Sequence, residues 1–327
     1  MPVKVLADSR GNILFSQGDP DKKYGIASQS KAIATMLIHE QIQKLAAAQG
    51  VSVDTILNQR ITARVDYGEM VYDRMQTRRD LTYPDDPKVF RPFLSDGSEQ
   101  DKSAFRLPVE QGKAYSVREL FKAALFESKN DAIQALSDHF FNDFNNKGLQ
   151  AAFAEMKTRL KLDEFPERDE RDPKLPTRLE TPHGLNDGGN TFTARDLAKV
   201  YGELIRNHLD FFRKFDPNKA ARHTVKPLMH HSGLKAAGID LDAVKSGTGN
   251  DRVGLKGNSS SSSLMAVGGR KNGPRFSAVV LADGNRVESV ANLLLKMPHD
   301  TAPAPAVQDE PRLIGPIRPA VREHRPQ

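Results

Sequence analysis

The chain contains no cysteine. That absence removes a disulfide framework, a cysteine-ligated zinc or iron–sulfur site and a thiol nucleophile together. It leaves the compartment open, because a chain of 327 residues buries a core without staples. No apolar run approaches the ~20 residues of a membrane helix, and the opening Met1-Pro2-Val3-Lys4-Val5 lacks the apolar stretch of a signal peptide. The sequence as written therefore predicts a soluble chain without a transmembrane segment. Dense basic runs with interleaved aromatics are missing as well. The 48 Lys and Arg against 42 Asp and Glu leave a formal charge of +6. This mild excess fits an anionic polymer but lacks the clustered footprint of a nucleic-acid binder, so no nucleic-acid partner is expected. Gly247-Thr248-Gly249 lacks the further glycine and the Lys-Ser/Thr of a phosphate loop.

What is present is a globular composition, 38% hydrophobic and 28% charged, too apolar for a disordered chain. Val3, Val5 and Leu6, then Ile13, Leu14 and Phe15, flank the turn Asp8-Ser9-Arg10-Gly11 and predict an opening β-hairpin. Between Gln29 and Gln49, Ile33, Leu37, Ile38, Ile42 and Leu45 recur at helical spacing, and Gly50 stands at the C-cap. Residues 64–115 are polar and proline-rich and read as a long excursion. Ser116-Val-Arg-Glu119 is a capping-box pattern before Leu120, Phe121, Ala124 and Leu125, and a second helix follows Asp131. Thr193-Ala-Arg-Asp196 caps a further helix carrying Leu197, Val200, Tyr201 and Leu204. Strands are predicted over 244–247, 263–267 and 276–281, the last two joined by Lys271-Asn272-Gly273-Pro274, and a final helix over 287–296. The tail 298–327 is proline-rich and reads as loosely ordered.

Ser28-Gln29-Ser30-Lys31 places a hydroxyl at the start of the long helix and an amine one turn later. A hydroxyl becomes a good nucleophile when a neighbour takes its proton, which a lysine held neutral can do. Backbone N–H groups at the helix start suit a developing oxyanion. The tetrapeptide is weak by itself. A second Ser-x-x-Lys, Ser232 to Lys235, reads as preceding a glycine-containing loop rather than opening a helix. Company changes the odds: Ser128-x-Asn130 between two helices and Lys245-Ser246-Gly247 on a strand follow in the order used by active-site serine penicillin-recognising enzymes.

On these residues the sequence resembles the low-molecular-mass penicillin-binding proteins of the D-alanyl-D-alanine carboxypeptidase and endopeptidase type. Val3 to Leu14 resembles the family's opening hairpin, and Ser128-Lys-Asn-Asp-Ala132 its Ser-Gly-Asn-Asp-Ala. Thr181-Pro-His-Gly-Leu185 with Thr193-Ala-Arg-Asp-Leu197 is similar to the segment before its penultimate helix, and residues 273–281 to its last strand. The resemblance implies an α+β fold: a β-lactamase/DD-peptidase-like antiparallel sheet sandwiched by N- and C-terminal helices, with an inserted helical region. A catalytic domain is expected over 1–297, with its sheet region at about 1–60 and 240–297 and its helical region at about 61–239.

The implied roles are Ser28 as nucleophile, Lys31 as general base and Ser128 as proton relay. Asn130, Lys245, Ser246, Gly247, Thr248 and Arg286 are implied as substrate-binding residues, with the backbone N–H groups of Ser28 and Thr248 as oxyanion hole. Substrates would be peptidoglycan stem peptides, β-lactams would be covalent inhibitors, and no cofactor or metal is implied. The compartment implied is periplasmic or otherwise extracytoplasmic. Lys245-Ser-Gly replaces the family's usual Lys-Thr-Gly, Lys129 stands where glycine is common, and the interval from Ser28 to Ser128 is long for the family. A DD-endopeptidase and a catalytically silent wall-binding module are the alternatives. A β-lactamase fits worse, since the second motif lacks a central Asp and no Glu-x-x-x-Asn segment is found.

The remaining features read as ordinary surface. His39-Glu40 starts like a zinc-protease helix, but Gln43 takes the place of the second histidine, which leaves a surface helix face. His230-His231 reads as a solvated pair without nearby carboxylates, and His183 as fixing a turn. Ser259 to Ser263 reads as a flexible connection, and Lys22, Lys23, Arg318, Arg322 and Arg325 as solvated charges.

Overall fold

A computed structural model describes residues 1–67, 70–71, 109–163, 177–184, 190–215, 226–250 and 260–298. The hairpin β1 (Val3–Ala7) and β2 (Ile13–Gln17) opens the chain. Its turn is tied by the Asp8 carboxylate, which accepts from the Arg10 and Asn12 N–H groups at 2.8 and 2.9 Å. The two-residue strand β3 (Tyr24–Gly25) leads into a 3₁₀ turn, Ala27–Gln29, and the long helix α1 (Ser30–Gln49), closed by Gly50 in the left-handed region. Next come α2 (Val53–Asn58), β4 (Arg60–Thr62), β5 (Ala114–Ser116), α3 (Val117–Phe126), α4 (Asn130–Phe141) and α5 (Lys147–Leu160). After β6 (Thr191–Phe192), α6 (Ala194–Glu203) runs through a π-helical turn, Leu204–His208, into α7 (Leu209–Arg213). The short helices α8 (Lys226–Met229) and α9 (Ser232–Ala236) precede β7 (Ile239–Asn250), β8 (Ser260–Arg270), β9 (Phe276–Leu281) and α10 (Arg286–Leu294).

The main sheet is antiparallel in the order β2-β1-β9-β8-β7, so both ends of the chain build it. Alternation sorts its side chains. Val3, Val5, Met265, Val267, Val279 and Leu281 join the larger core with the helical region. Leu6, Leu264, Ala266 and Val280 join a second core under α10. On the helical side α6 lies directly against β1 and β9, while α1 is buried on nearly every face of its first three turns. A helix buried all round is a central helix, and α1 therefore gives its first turn a rigid mount.

The expected helix caps are present. The Ser116 and Glu119 side chains form the reciprocal capping box, and Thr193 accepts from the Asp196 N–H at 2.9 Å. Several surface expectations are corrected. Ser260 pairs with Asn250 and Ser263 with Gly247 inside the β7–β8 ladder, so 260–263 is strand and no loose connection; ladder hydrogen bonds are indifferent to the repeated serines. Ser232 does open a helix, although a single-turn one. Lys23 is mostly buried and paired with Asp163, and His231 Nε2 lies 3.2 Å from a Glu288 carboxylate oxygen supplied by α10.

His39 is buried too, stacked on Phe211 with ring centroids 3.9 Å apart, and its Nδ1 lies 2.9 Å from His208 Nδ1. Burial, with neighbouring positive charge, pushes the imidazole pKa values down to about 3 for His39 and about 4 for His208. Most of the 64–115 excursion, Leu185, Ser259 and the tail beyond Pro298 lie outside the described residues. Among the described residues no helix is long and apolar enough to cross a membrane.

Candidate active site

Ser28 sits in the 3₁₀ turn rather than in α1 itself. A 3₁₀ turn brings positions i and i+3 into line, and Lys31 Nζ lies 3.0 Å from Ser28 Oγ. The lysine is fully buried. Its amine also donates to Asn130 Oδ1 at 2.7 Å and to the His183 carbonyl at 2.9 Å. The serine hydroxyl and two carbonyl oxygens thus surround the nitrogen. An amine donates through its N–H groups, and the two carbonyl oxygens are acceptors for them beside the serine hydroxyl.

Ser128 lies in the short link between α3 and α4, with φ +57°, a left-handed conformation uncommon for a residue with a side chain. Ala27, next to Ser28, has φ +46°. Strained backbone of this kind concentrates at functional sites. The Ser128 hydroxyl accepts from Lys245 Nζ at 2.9 Å, and the same amine donates to the Ser246 carbonyl at 3.0 Å. Asn130, first residue of α4, is buried with its amide oxygen on Lys31. Asn130, two residues after Ser128, therefore ties the Ser128–Lys245 pair to the Ser28–Lys31 pair.

Gly247 brings β7 close to the turn that carries Ser28. A Cβ there would lie 2.5 Å from the Ile26 carbonyl oxygen and 2.5 Å from Ser263 Oγ, and 3.3 Å from the Ser28 N atom. Only glycine lets β7 pass so close. Arg286 Nη1 donates to the Gly247 carbonyl at 2.8 Å, which brings the α10 arginine to the same edge; burial holds its pKa below the usual arginine value. Ser246 is buried in β7, and Thr248 pairs with Ser262 through the backbone. The expected site residues thus come from the 3₁₀ turn, the first turn of α1, the α3–α4 link, the start of α4, β7 and α10.

Sequence reasoning missed the wall formed by residues 181–184. The His183 contact to Lys31 is made by its backbone, so the side chain gave no signal of it. Gly184 has φ +77° and packs so tightly on the Ala27 carbonyl that a Cβ would lie 2.0 Å from that oxygen. Asn190 fixes this wall: its side chain bridges the Glu180 and Thr181 N–H groups and the Thr181 carbonyl at 2.8–3.1 Å, and its own carbonyl accepts from the Ile26 N–H at 3.2 Å. The quoted Thr-Pro-His-Gly segment was its only trace.

The family profile for D-alanyl-D-alanine carboxypeptidase matches residues 94–262. The chain belongs to this family of serine peptidases. The matched span takes in Ser128, Asn130 and Lys245, while Ser28 and Lys31 precede it. Along 243 residues the chain is 22% identical to the D-alanyl-D-alanine carboxypeptidase DacA of Haemophilus influenzae, covering 74% of this chain and 49% of that one. The chain thus spans about half the length of that relative. Among solved structures it is similar to the D-alanyl-D-alanine carboxypeptidase DacD of Francisella tularensis, with TM-score 0.55 and 16% identity over 89% of this chain and 68% of that one. It is also similar to penicillin-binding protein D2 of Listeria monocytogenes, solved with cefotaxime bound, with TM-score 0.52 and 21% identity over 89% and 92%. These likenesses bear out the expected α+β DD-peptidase fold.

Proposed function

We propose that residues 1–297 form a serine DD-peptidase unit that cleaves the D-alanyl-D-alanine bond of peptidoglycan stem peptides through an acyl-enzyme at Ser28. The observation that carries this reading is the Lys31 amine, 3.0 Å from Ser28 Oγ with carbonyl acceptors for its N–H groups. In the reaction Ser28 Oγ attacks the carbonyl between the two D-alanines while its proton passes to Lys31 Nζ. The N–H groups of Ser28 and Thr248 hold the oxyanion. The proton taken up by Lys31 then passes by way of the Ser128 hydroxyl, polarised by Lys245, to the leaving amine as the peptide C–N bond breaks, releasing D-alanine and leaving Lys31 neutral and Ser128 protonated. Water then hydrolyses the ester and restores Ser28.

The substrate backbone would lie along the edge of β7 as an added strand, with Gly247 letting that strand sit close to Ser28. Asn130 would hold its amide carbonyl, with Lys245, Ser246, Thr248 and Arg286 near its terminal carboxylate. Penicillins, carrying a strained amide, would acylate Ser28 in the substrate's place. Such chemistry is useful where peptidoglycan lies, in the periplasm or an equivalent extracytoplasmic space.

The test is labelling with a fluorescent penicillin, read on a denaturing gel and by intact mass, for the wild type and Ser28→Ala. Stoichiometric adduct in the wild type alone is the expected result. A folded wild type that takes no label overturns the acylation reading and leaves a wall-binding role. Digestion of cross-linked against uncross-linked muropeptides separates endopeptidase from carboxypeptidase action.

A further inference from the structure

The buried end of the α6 π-turn holds an arrangement the peptidase chemistry does not use. Among the described residues, Glu40 on α1, Glu203 at the end of α6 and His208 each bring one ligand atom to within 4.8 Å of the others. Glu203 and His208 are 5% and 2% exposed. His208 Nε2 has no hydrogen-bond partner and lies 3.8 Å from Glu40 Oε1. A buried imidazole nitrogen left unpartnered beside two carboxylates is costly unless something occupies the space between them. Its other nitrogen is engaged by His39, the kind of outer contact that fixes the tautomer of a metal-bound histidine. A π-turn is a rare interruption of a helix that recurs at functional sites, and here it is what carries His208.

The geometry points to a Zn²⁺ site formed by Glu40, Glu203 and His208, distinct from the peptidase centre. One imidazole and two carboxylates suit zinc, with a fourth position left for water. A tetrahedral ion with ~2.0–2.2 Å bonds needs ligand atoms roughly 3.4 Å apart; the His208–Glu40 pair stands at 3.8 Å and the trio lies within 4.8 Å, so the two carboxylate side chains must close in on the ion as it binds. Arg159 now serves as the cation between the carboxylates, with its Nη2 2.7 Å from Glu40 Oε1 and 3.3 Å from Glu203 Oε1. Its side chain is 45% exposed, so it can swing to solvent as zinc enters. Arg206 holds the other Glu203 oxygen at 2.9 Å and stays in place. The site ties α1 to α6 about nine residues beyond Lys31, ~14 Å along the helix, and so stiffens the mount of the nucleophile without touching it.

The test is calorimetric titration of the chelator-stripped full chain with Zn²⁺ alone, with Co²⁺ absorption to read coordination geometry. The wild type is expected to bind one ion, with tetrahedral Co²⁺ bands. His208→Gln and Glu203→Gln are each expected to weaken binding at least tenfold, as lost ligands do. Arg159→Gln removes the competing cation from a half-exposed position and is expected to tighten binding about tenfold. That variant keeps every ligand and so remains informative if a ligand variant fails to fold. Absence of stoichiometric binding in both the wild type and Arg159→Gln overturns the site. Binding unchanged by His208→Gln in folded protein does the same, by placing the ion elsewhere, such as His230 and His231. Penicillin labelling is scored separately and does not bear on this outcome.

Discussion

Asn130 Oδ1 accepts a 2.7 Å hydrogen bond from Lys31 Nζ, linking the start of α4 to the first turn of α1 across 99 positions of sequence. The residue assigned by resemblance to the substrate's carbonyl is also a holder of the proposed base. Asn130→Ala is expected to slow acylation by about 10²-fold, as small misplacements of catalytic groups do. Stopped-flow labelling with a fluorescent penicillin measures it. Lys31→Ala, which removes the base, should fall at least as far.

Gly247→Ala is expected to damage both stability and acylation. The added methyl group meets the Ile26 carbonyl and Ser263 Oγ at 2.5 Å, and neither the backbone of the nucleophile turn nor the β7–β8 ladder yields easily. Overpacking of this kind costs about 1–3 kcal/mol. Denaturant titration and labelling of the folded fraction separate the two effects. Adding Ser263→Ala should recover part of the stability but leave the collision with Ile26.

Tyr201→Phe is expected to destabilise by about 1–3 kcal/mol. The fully buried phenol donates to Gln29 Oε1 at 2.7 Å, and burial pushes its pKa far above the ordinary value. Gln29 Nε2 already lacks a partner, so removing the phenolic O–H leaves both ends of that buried amide unpaired. Thermal denaturation of the variant against the wild type measures the loss.

Asp163 predicts a pH dependence. Burial by itself would raise its pKa, but hydrogen bonds from Lys157, Lys23 and Thr177 outweigh burial and hold it well below the usual carboxylate range. The folded state therefore keeps the carboxylate ionised where the unfolded chain has taken up a proton. The contribution is complete above about pH 5, where the unfolded carboxyl is ionised too, and is lost as the pH falls toward the folded value. The Tm advantage of the wild type over Asp163→Asn should shrink progressively between about pH 5 and pH 2 in scanning calorimetry.

Local rules made much of the fold legible. The Asp8–Gly11 turn, the capping residues Ser116 and Thr193, the C-cap Gly50 and the spacing within α1 each act within a few residues and leave a mark in the sequence. The three short motifs of the proposed site were legible for the same reason. What escaped was non-local or carried by backbone: the His183 carbonyl on Lys31, the Asn190 clamp, the two-residue ladder β3–β6 and the ladder that orders Ser260–Ser263. His39-Glu40 looks like surface in the sequence because its partners, Glu203 and His208, lie more than 160 positions away and meet it only in the folded chain.

The pairing of β1 with β9, Val5 opposite Val279, has a consequence for the order of assembly. On a ribosome every motif of the peptidase, from Ser28 to Gly247, is synthesised before the strand that sits between the opening hairpin and β8 exists. Until Phe276–Leu281 emerges, β1 and β8 are both unpaired edges and β7 has no fixed place against the nucleophile turn. Long-range pairing of this kind closes late and slowly. A nascent chain thus holds Ser28, Lys31, Ser128, Asn130 and Lys245 before the sheet that carries β7 is closed, and the last strand, with Arg286 just behind it, is the clasp that completes the frame.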